Sequence, residues 1–176
     1  MSKVFVIGGG ASGMLAAIVA ARNGHTVELF EKNEKLGKKL YITGKGRCNL
    51  TNACDQDTFF NHVVSNPKFL YKAFYMFNNQ DTMNFFETIG LPLKIERGNR
   101  VFPVSDKSSD VISSLRQELE RQKVKIHYHS EVEKVLIKDG HFYGLQLKND
   151  VKEWIADSVV IATGGLSYPT TGSTGD

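Results

Sequence analysis

Apolar positions change their spacing along the chain, and that change marks out the elements. Residues 3–7 carry Val4-Phe5-Val6-Ile7 with no alternation, the pattern of a strand buried on both faces. From Ser12 to Asn23 the small residues Ala16, Ala17, Ala20 and Ala21 predict a helix that packs closely, with Gly24 as its stop. Thr26 to Phe30 reads as a second strand. Residues 33–54 are too rich in Gly, Asn and Thr for one helix. Aromatic residues at helical spacing then predict helices near 67–77 and 80–89, broken at Pro67, Asn78-Asn79 and Gly90-Leu91-Pro92. Their rings are either a packed core or the lining of a ligand pocket. Leu93 to Phe102 reads as a hairpin or loop.

The second half is patterned more plainly. Val111, Ile112, Leu115, Leu119 and Val124 form a stripe that predicts a helix over 108–122, capped from Ser105 to Ser109. Lys125 to His129 follows as a third parallel strand. Runs at 132–138, 141–148 and 151–156, divided by Asp139-Gly140 and Asn149-Asp150, predict a three-stranded meander. Ser158 to Ala162 then re-enters the main sheet as its fourth strand. The expected fold is α/β, a Rossmann-like parallel sheet ordered 3-2-1-4, with the meander replacing a crossover helix and a mainly helical region inserted. In domain terms, 1–42 and 107–176 form the sheet domain, with the meander at 132–156, and 43–106 form a loop and the partial inserted region.

Composition narrows the class without naming a function. Apolar residues are 41% and charged residues 23% of the 176, ordinary for a folded globular chain. No run is long enough to span a bilayer, and a strand that begins after two residues leaves no room for a signal peptide, so a cytoplasmic setting is expected. The net charge of +3 is uneven: residues 1–50 hold eight Lys or Arg against three acids. That surplus is either attraction for an anionic ligand or a solvated face. The cluster Lys32, Lys35, Lys38, Lys39, Lys45 and Arg47 lacks aromatic interleaving, so no nucleic-acid partner is expected.

The turn after the first strand carries the chemistry. Gly8, Gly10 and Gly13 make a GxGxxG set between a strand and a helix: one for the tight turn, one for close approach of a pyrophosphate, one for helix against sheet. Amides at Ala11 and Ser12, at the positive end of the helix, face the phosphates. Glu31 ends the second strand 18 residues past Gly13, where an acid accepts the hydroxyl hydrogens of an adenosine ribose. Thr43-Gly44-Lys45-Gly46-Arg47 offers amides and cations either to a cofactor or, as a basic loop, to solvent. It lacks the spacing of a triphosphate-binding loop. Cys48 and Cys54 match neither a redox pair nor half a zinc site; each reads as an inert thiol, although Arg47 beside Cys48 would favour its thiolate. His127 and His129 would share a strand face, with no third ligand for a metal.

With GGGASG at Gly8–Gly13, Glu31, TGKGRCNLTN at Thr43–Asn52 and ATGGLSYPTTGSTGD at Ala162–Asp176, the chain resembles flavoproteins with two dinucleotide-binding domains. More narrowly, it is similar to the BaiN/YhiN-like family of NAD(P)/FAD-dependent oxidoreductases, and the likeness extends over essentially every residue. The resemblance implies an N-terminal fragment of a longer FAD enzyme, incomplete for catalysis. It further implies that Lys32 flanks the adenine side of FAD, that Lys39, Gly44, Arg47, Cys48 and Asn49 pass along the diphosphate and ring, that Val132 touches adenine through its backbone, and that Ala162, Thr163 and Gly164 form a second cofactor turn. Arg47, Cys48 and Tyr168 are the candidates for a catalytic role.

The expected activity is transfer of a hydride from NAD(P)H through FAD to a small organic acceptor. A disulfide reductase, an FAD-dependent RNA-modifying enzyme and a non-catalytic dinucleotide-binding module are the alternatives. No sequence feature fixes the acceptor, the nicotinamide or the oligomeric state.

Overall fold

The computed structural model describes residues 1–166. In chain order the elements are β1 (Lys3–Ile7), α1 (Ala11–Arg22), β2 (Thr26–Phe30), α2 (Lys38–Ile42), a 3-10 turn (Thr43–Gly46), β3 (Thr51–Asn52), α3 (Gln56–Asn61), α4 (Pro67–Met76), α5 (Asn79–Thr88), β4 (Leu93–Glu96), β5 (Arg100–Pro103), α6 (Ser108–Arg121), β6 (Lys125–His127), β7 (Val132–Lys138), β8 (His141–Leu147), β9 (Glu153–Ile155) and β10 (Ser158–Ile161). They gather into two compact units. One comprises Met1–Tyr41 and the chain from Leu115 onward; the other is Ile42–Ser114.

The first unit is built on a parallel sheet ordered β6-β2-β1-β10, the third, second, first and fourth of its strands, in the order expected. Both faces of β1 are buried, which is why its sequence does not alternate. Val4 and Val6 share one face with Val27 and Leu29, and α1 lies over β1, β2 and β10, burying Met14, Ala17 and Ile18. Phe5, Ile7 and Phe30 point to the other face, where they meet Leu145, Leu147 and Ala156, ringed by Val132, Phe142, Trp154 and Val159. The meander, ordered β7-β8-β9, thus covers the face that a crossover helix would cover in a regular unit.

Two buried carboxylates at the margins of this core, Glu118 and Glu28, are held by cationic and polar partners. Glu118 on α6 is buried, 3% exposed, and accepts from Arg22 of α1 (3.0 and 2.7 Å), from Arg121 (2.6 and 2.9 Å) and from Gln122 (2.9 Å). Burial by itself would raise the Glu118 carboxyl, but the bonds from Arg121, Arg22 and Gln122 outweigh it and hold the group at about 2. His127 was expected to share a strand face with His129. Instead β6 ends at His127, and His129 leaves it with φ 52°. His127 stacks on Phe30 (4.7 Å between ring centres) with Nε2 2.5 Å from Glu28 Oε2, while Lys3 Nζ lies 2.8 Å from Glu28 Oε1.

The second unit holds a small antiparallel sheet, β3-β5-β4, and the short helices. The β4-β5 hairpin turns through Gly98 and Asn99, both at positive φ. Asn78 caps α5 in a reciprocal box with Asp81, and Asp55 caps α3 by accepting from Thr58 N–H at 2.7 Å. The aromatic stripe divides: Phe74 packs against Phe59 and Phe60, and Phe85 and Phe86 are buried, whereas Phe69 is 79% and Met76 76% exposed on α4. Among the described residues no helix is long and apolar enough to cross a membrane.

Candidate cofactor-binding site

The carboxyl ends of β1, β2 and β10 meet at the glycine turn. Gly8 has φ 101°, a conformation side chains disfavour, and its N–H donates to Phe30 O at 2.8 Å. A Cβ on Gly8 would collide with Ala162 O, and one on Gly13 with Gly8 O. Ala162 in turn donates its N–H to Ile7 O at 2.8 Å. The first turn, the start of α1 and the segment after β10 therefore fit together without room for a methyl group.

Gly10 is different: among the described residues, a Cβ built there meets nothing within 4 Å. It is the N-cap of α1, with no side-chain cap and no acid in the following turn. Ala11 and Ser12, both exposed, follow it directly. The helix thus presents its positive end to open space with no side chain of its own to satisfy it.

Glu31 closes the other side. It is 7% exposed, and its Oε2 accepts from Gly9 N–H at 2.8 Å. Its Oε1 accepts from the backbone N–H and Nδ2 of Asn33, at 2.8 and 2.6 Å. Gly9 is held on its other side too, since its carbonyl accepts from Gly37 N–H at 2.9 Å. A Cβ at Gly9 would strike Leu36 and sit 2.9 Å from Glu31 Oε2. Neither Gly9 nor Asn33 stood out in the sequence; the signal for Asn33 is a donor two residues beyond an acid at a strand end.

The remaining candidates of this unit lie around that centre. Lys32 and Lys39 are half-buried. Val132 begins β7 opposite Leu147 and packs against the Phe5 and Phe30 cluster. Thr163 follows Ala162, and Gly164 takes φ 87°. Tyr168 lies outside the described residues.

Gly44, Arg47, Cys48 and Asn49 belong to the second unit. Gly44 and Lys45 hold left-handed conformations (φ 56° and 58°), and the turn is fastened by Cys48 N–H donating to Thr43 O at 3.0 Å. Arg47 spends its charge inside the unit: its guanidinium bonds Glu96 and Asp106, each at 2.5 Å, and lies 4.2 Å from the Phe102 ring centre. The hydrogen bonds it donates to Glu96, then to Asp106, raise its already high pKa. Lys94 Nζ also donates to Asp106, at 2.5 Å, and that bond, ahead of Arg47, lowers the Asp106 carboxyl.

The environment of Cys48 favours the inert thiol over the thiolate that Arg47 beside it would promote. Cys48 is 2% exposed, and burial pushes its thiol up despite a hydrogen bond with Thr43. Cys48 and Cys54 are both free. Asn49 is exposed, and in the amide orientation that satisfies its neighbours it donates to Thr51 O and Val101 O, at 3.0 and 3.2 Å.

Residues 2–176 match the family described as HI0933-like protein Rossmann domain. The chain belongs to the HI0933-like family. Among curated proteins, it is 38% identical over 178 residues to the 3-dehydro-bile acid delta(4,6)-reductase of Clostridium scindens, covering 99% of this chain and 42% of that protein. It is 28% identical to the ribosomal RNA dihydrouridine synthase of Haemophilus influenzae, covering 98% of this chain and 43% of that protein. This HI0933-like chain therefore spans less than half the length of these curated relatives. Among solved structures, the 3-ketosteroid-delta4-(5alpha)-dehydrogenase of Rhodococcus jostii matches with a TM-score of 0.71 at 20% identity, covering 95% of this chain and 46% of that one. The fold is a Rossmann-like parallel α/β sheet.

Proposed function

We propose that the whole protein is an FAD-dependent oxidoreductase that passes a hydride from NAD(P)H through FAD to a small organic acceptor. The observation that carries this reading is the pairing, at the ends of β1 and β2, of an uncapped helix start beside open space at Gly10 with a buried carboxylate at Glu31. Amides that lack a capping side chain suit the phosphates of a dinucleotide, and an acid one strand away suits its ribose. The residues fit the group without rearranging the glycine turn.

When bound, FAD supplies the two-electron redox chemistry. Gly10, Ala11 and Ser12 would bind its pyrophosphate, Gly8 and Gly13 would keep the helix against the sheet, and Glu31 would orient the adenosine. Lys32, Lys39, Val132, Ala162, Thr163 and Gly164 complete the proposed set from the first unit. Gly44, Arg47, Cys48 and Asn49 belong to the other unit, where the Arg47 guanidinium is taken up by Glu96 and Asp106. No catalytic acid is assigned.

The relatives divide over the acceptor, a bile acid in one name and ribosomal RNA in the other. The proposal keeps a small-molecule acceptor and no nucleic-acid partner, and the residues matched make up less than half of either relative. The disulfide reductase reading has little support, since Cys48 is buried and its thiol is pushed up.

The test is to purify the full-length protein, reconstitute it with FAD and record its visible spectrum. Bound oxidised flavin that bleaches anaerobically with NADH or NADPH is the expected result. Failure to take up flavin sinks the whole reading; flavin that neither nicotinamide reduces sinks the choice of reductant. Salt-sensitive binding of ribosomal RNA would favour the nucleic-acid acceptor instead.

A further inference from the structure

The Glu31 carboxylate is nearly filled by protein donors. A carboxylate has about four acceptor positions, two on each oxygen. Oε1 receives both the N–H and the Nδ2 of Asn33, at 2.8 and 2.6 Å, so it is saturated. Oε2 receives Gly9 N–H at 2.8 Å and, among the described residues, no second donor. One position, on Oε2, is left.

Asn33 is not free to turn away. Its Oδ1 lies 3.2 Å from Lys38 Nζ, an ammonium that can only donate. The amide oxygen must therefore face Lys38 and the amide nitrogen must face Glu31, which fixes the orientation from both ends. Glu34 Oε2, 3.5 Å from Lys38 Nζ, holds the ammonium from a further side, and the Asn33 carbonyl accepts from His129 N–H at 3.2 Å.

We infer that Asn33 is a positioning residue for the nucleotide's ribose: by filling Glu31 Oε1 it confines the sugar to a single hydrogen bond, at Oε2, in place of a grip on both hydroxyls. The inference rests on the FAD reading above and sharpens it. Of the two adenosine ribose hydroxyls, one should matter for binding and the other should be dispensable. Lys38 acts one step further out, by keeping the Asn33 amide from flipping.

The experiment titrates the full-length apoprotein with ADP, 2′-deoxy-ADP and 3′-deoxy-ADP by calorimetry. One deoxy analogue is expected to bind within about twofold of ADP and the other about tenfold more weakly, as for loss of one hydrogen bond to a charged group. Asn33→Ala, which removes the Nδ2 donor and leaves Oε1 only the backbone N–H, opens one acceptor position there and should make both analogues weaker than ADP, and Lys38→Met should move the protein part of the way. A merely structural role for Asn33 would weaken all ligands together and leave their ratios alone, which would overturn the inference. Equal losses for both analogues in the unaltered protein would overturn it too, because the amide would then be stepping aside for the second hydroxyl. That comparison needs no variant to fold. A protein that takes up FAD but shows either of these patterns fails the inference alone, whereas one that binds neither FAD nor ADP fails the FAD reading beneath it.

Discussion

At the scale of single residues, Gly10 and Gly13 make a sharp contrast. Among the described residues a methyl group at Gly10 meets nothing, so Gly10→Ala should leave stability within about 0.5 kcal/mol, as a surface change does, while weakening FAD because the methyl stands where the phosphates approach. A methyl at Gly13 runs into Gly8 O, so Gly13→Ala should cost about 1–3 kcal/mol by forcing α1 off the sheet. Urea unfolding and flavin titration of the two variants check this directly. Two variants that both lost stability, or both kept FAD, would contradict the division of roles. Arg47 gives a different kind of residue-scale prediction. Because its guanidinium ties Glu96 and Asp106 to the segment after the left-handed turn, Arg47→Ala should speed hydrogen exchange at the Cys48 amide, which bonds Thr43 O.

At the scale of elements, the tie between α1 and α6 fixes how the first unit responds to acid. Glu118 titrates at about 2 in the fold against an ordinary 4.5, so the fold prefers its charged form. The stabilisation is complete above pH 4.5 and is lost as the pH falls toward 2, amounting to about 3 kcal/mol by linkage. Glu118→Gln should be less stable at pH 7 and should have a flatter stability profile between pH 4.5 and 2, measured by urea unfolding at stepped pH. The existence of α6 was legible because its buried positions Val111, Leu115 and Leu119 recur at helical spacing. The β7-β8 turn was legible because Asp139 and Gly140 are residues that tolerate the positive φ both adopt, 51° and 77°. What escaped has a physical reason in each case. β3 is two residues long and α3 six, too short to show a period. The bonds from Arg47 reach 49 and 59 residues along the chain, and ion pairs of that range leave no local trace. The glycines and Glu31 were visible as a motif, but the Asn33 amide that fills Glu31 was not, since its role depends on where Lys38 falls.

For the molecule as a whole, the division into two units gives a convenient reporter. The chain has one tryptophan, Trp154, and it belongs to the first unit, 5.4 Å from Phe30 and 5.0 Å from His127 between ring centres. Its fluorescence therefore follows the packing of the meander on the sheet. Phe30→Ala should lower the fluorescence-monitored stability by about 3–5 kcal/mol, the cost of emptying a site that is 1% exposed. A shift well below that range would mean that the meander collapses onto the gap.

The pairing of β1 with β10 carries a consequence for synthesis. Val4 lies opposite Ser158, and Lys3 N–H donates to Asp157 Oδ2, 154 residues away. A nascent chain emerging from the ribosome has β1 and β2 in hand early, yet one margin of β1 stays bare until almost the whole described chain has been translated. During that interval an aliphatic strand with open backbone groups is exposed to its neighbours, so the yield of folded protein in a cell should depend on chaperone supply and on growth temperature more than the finished fold would suggest.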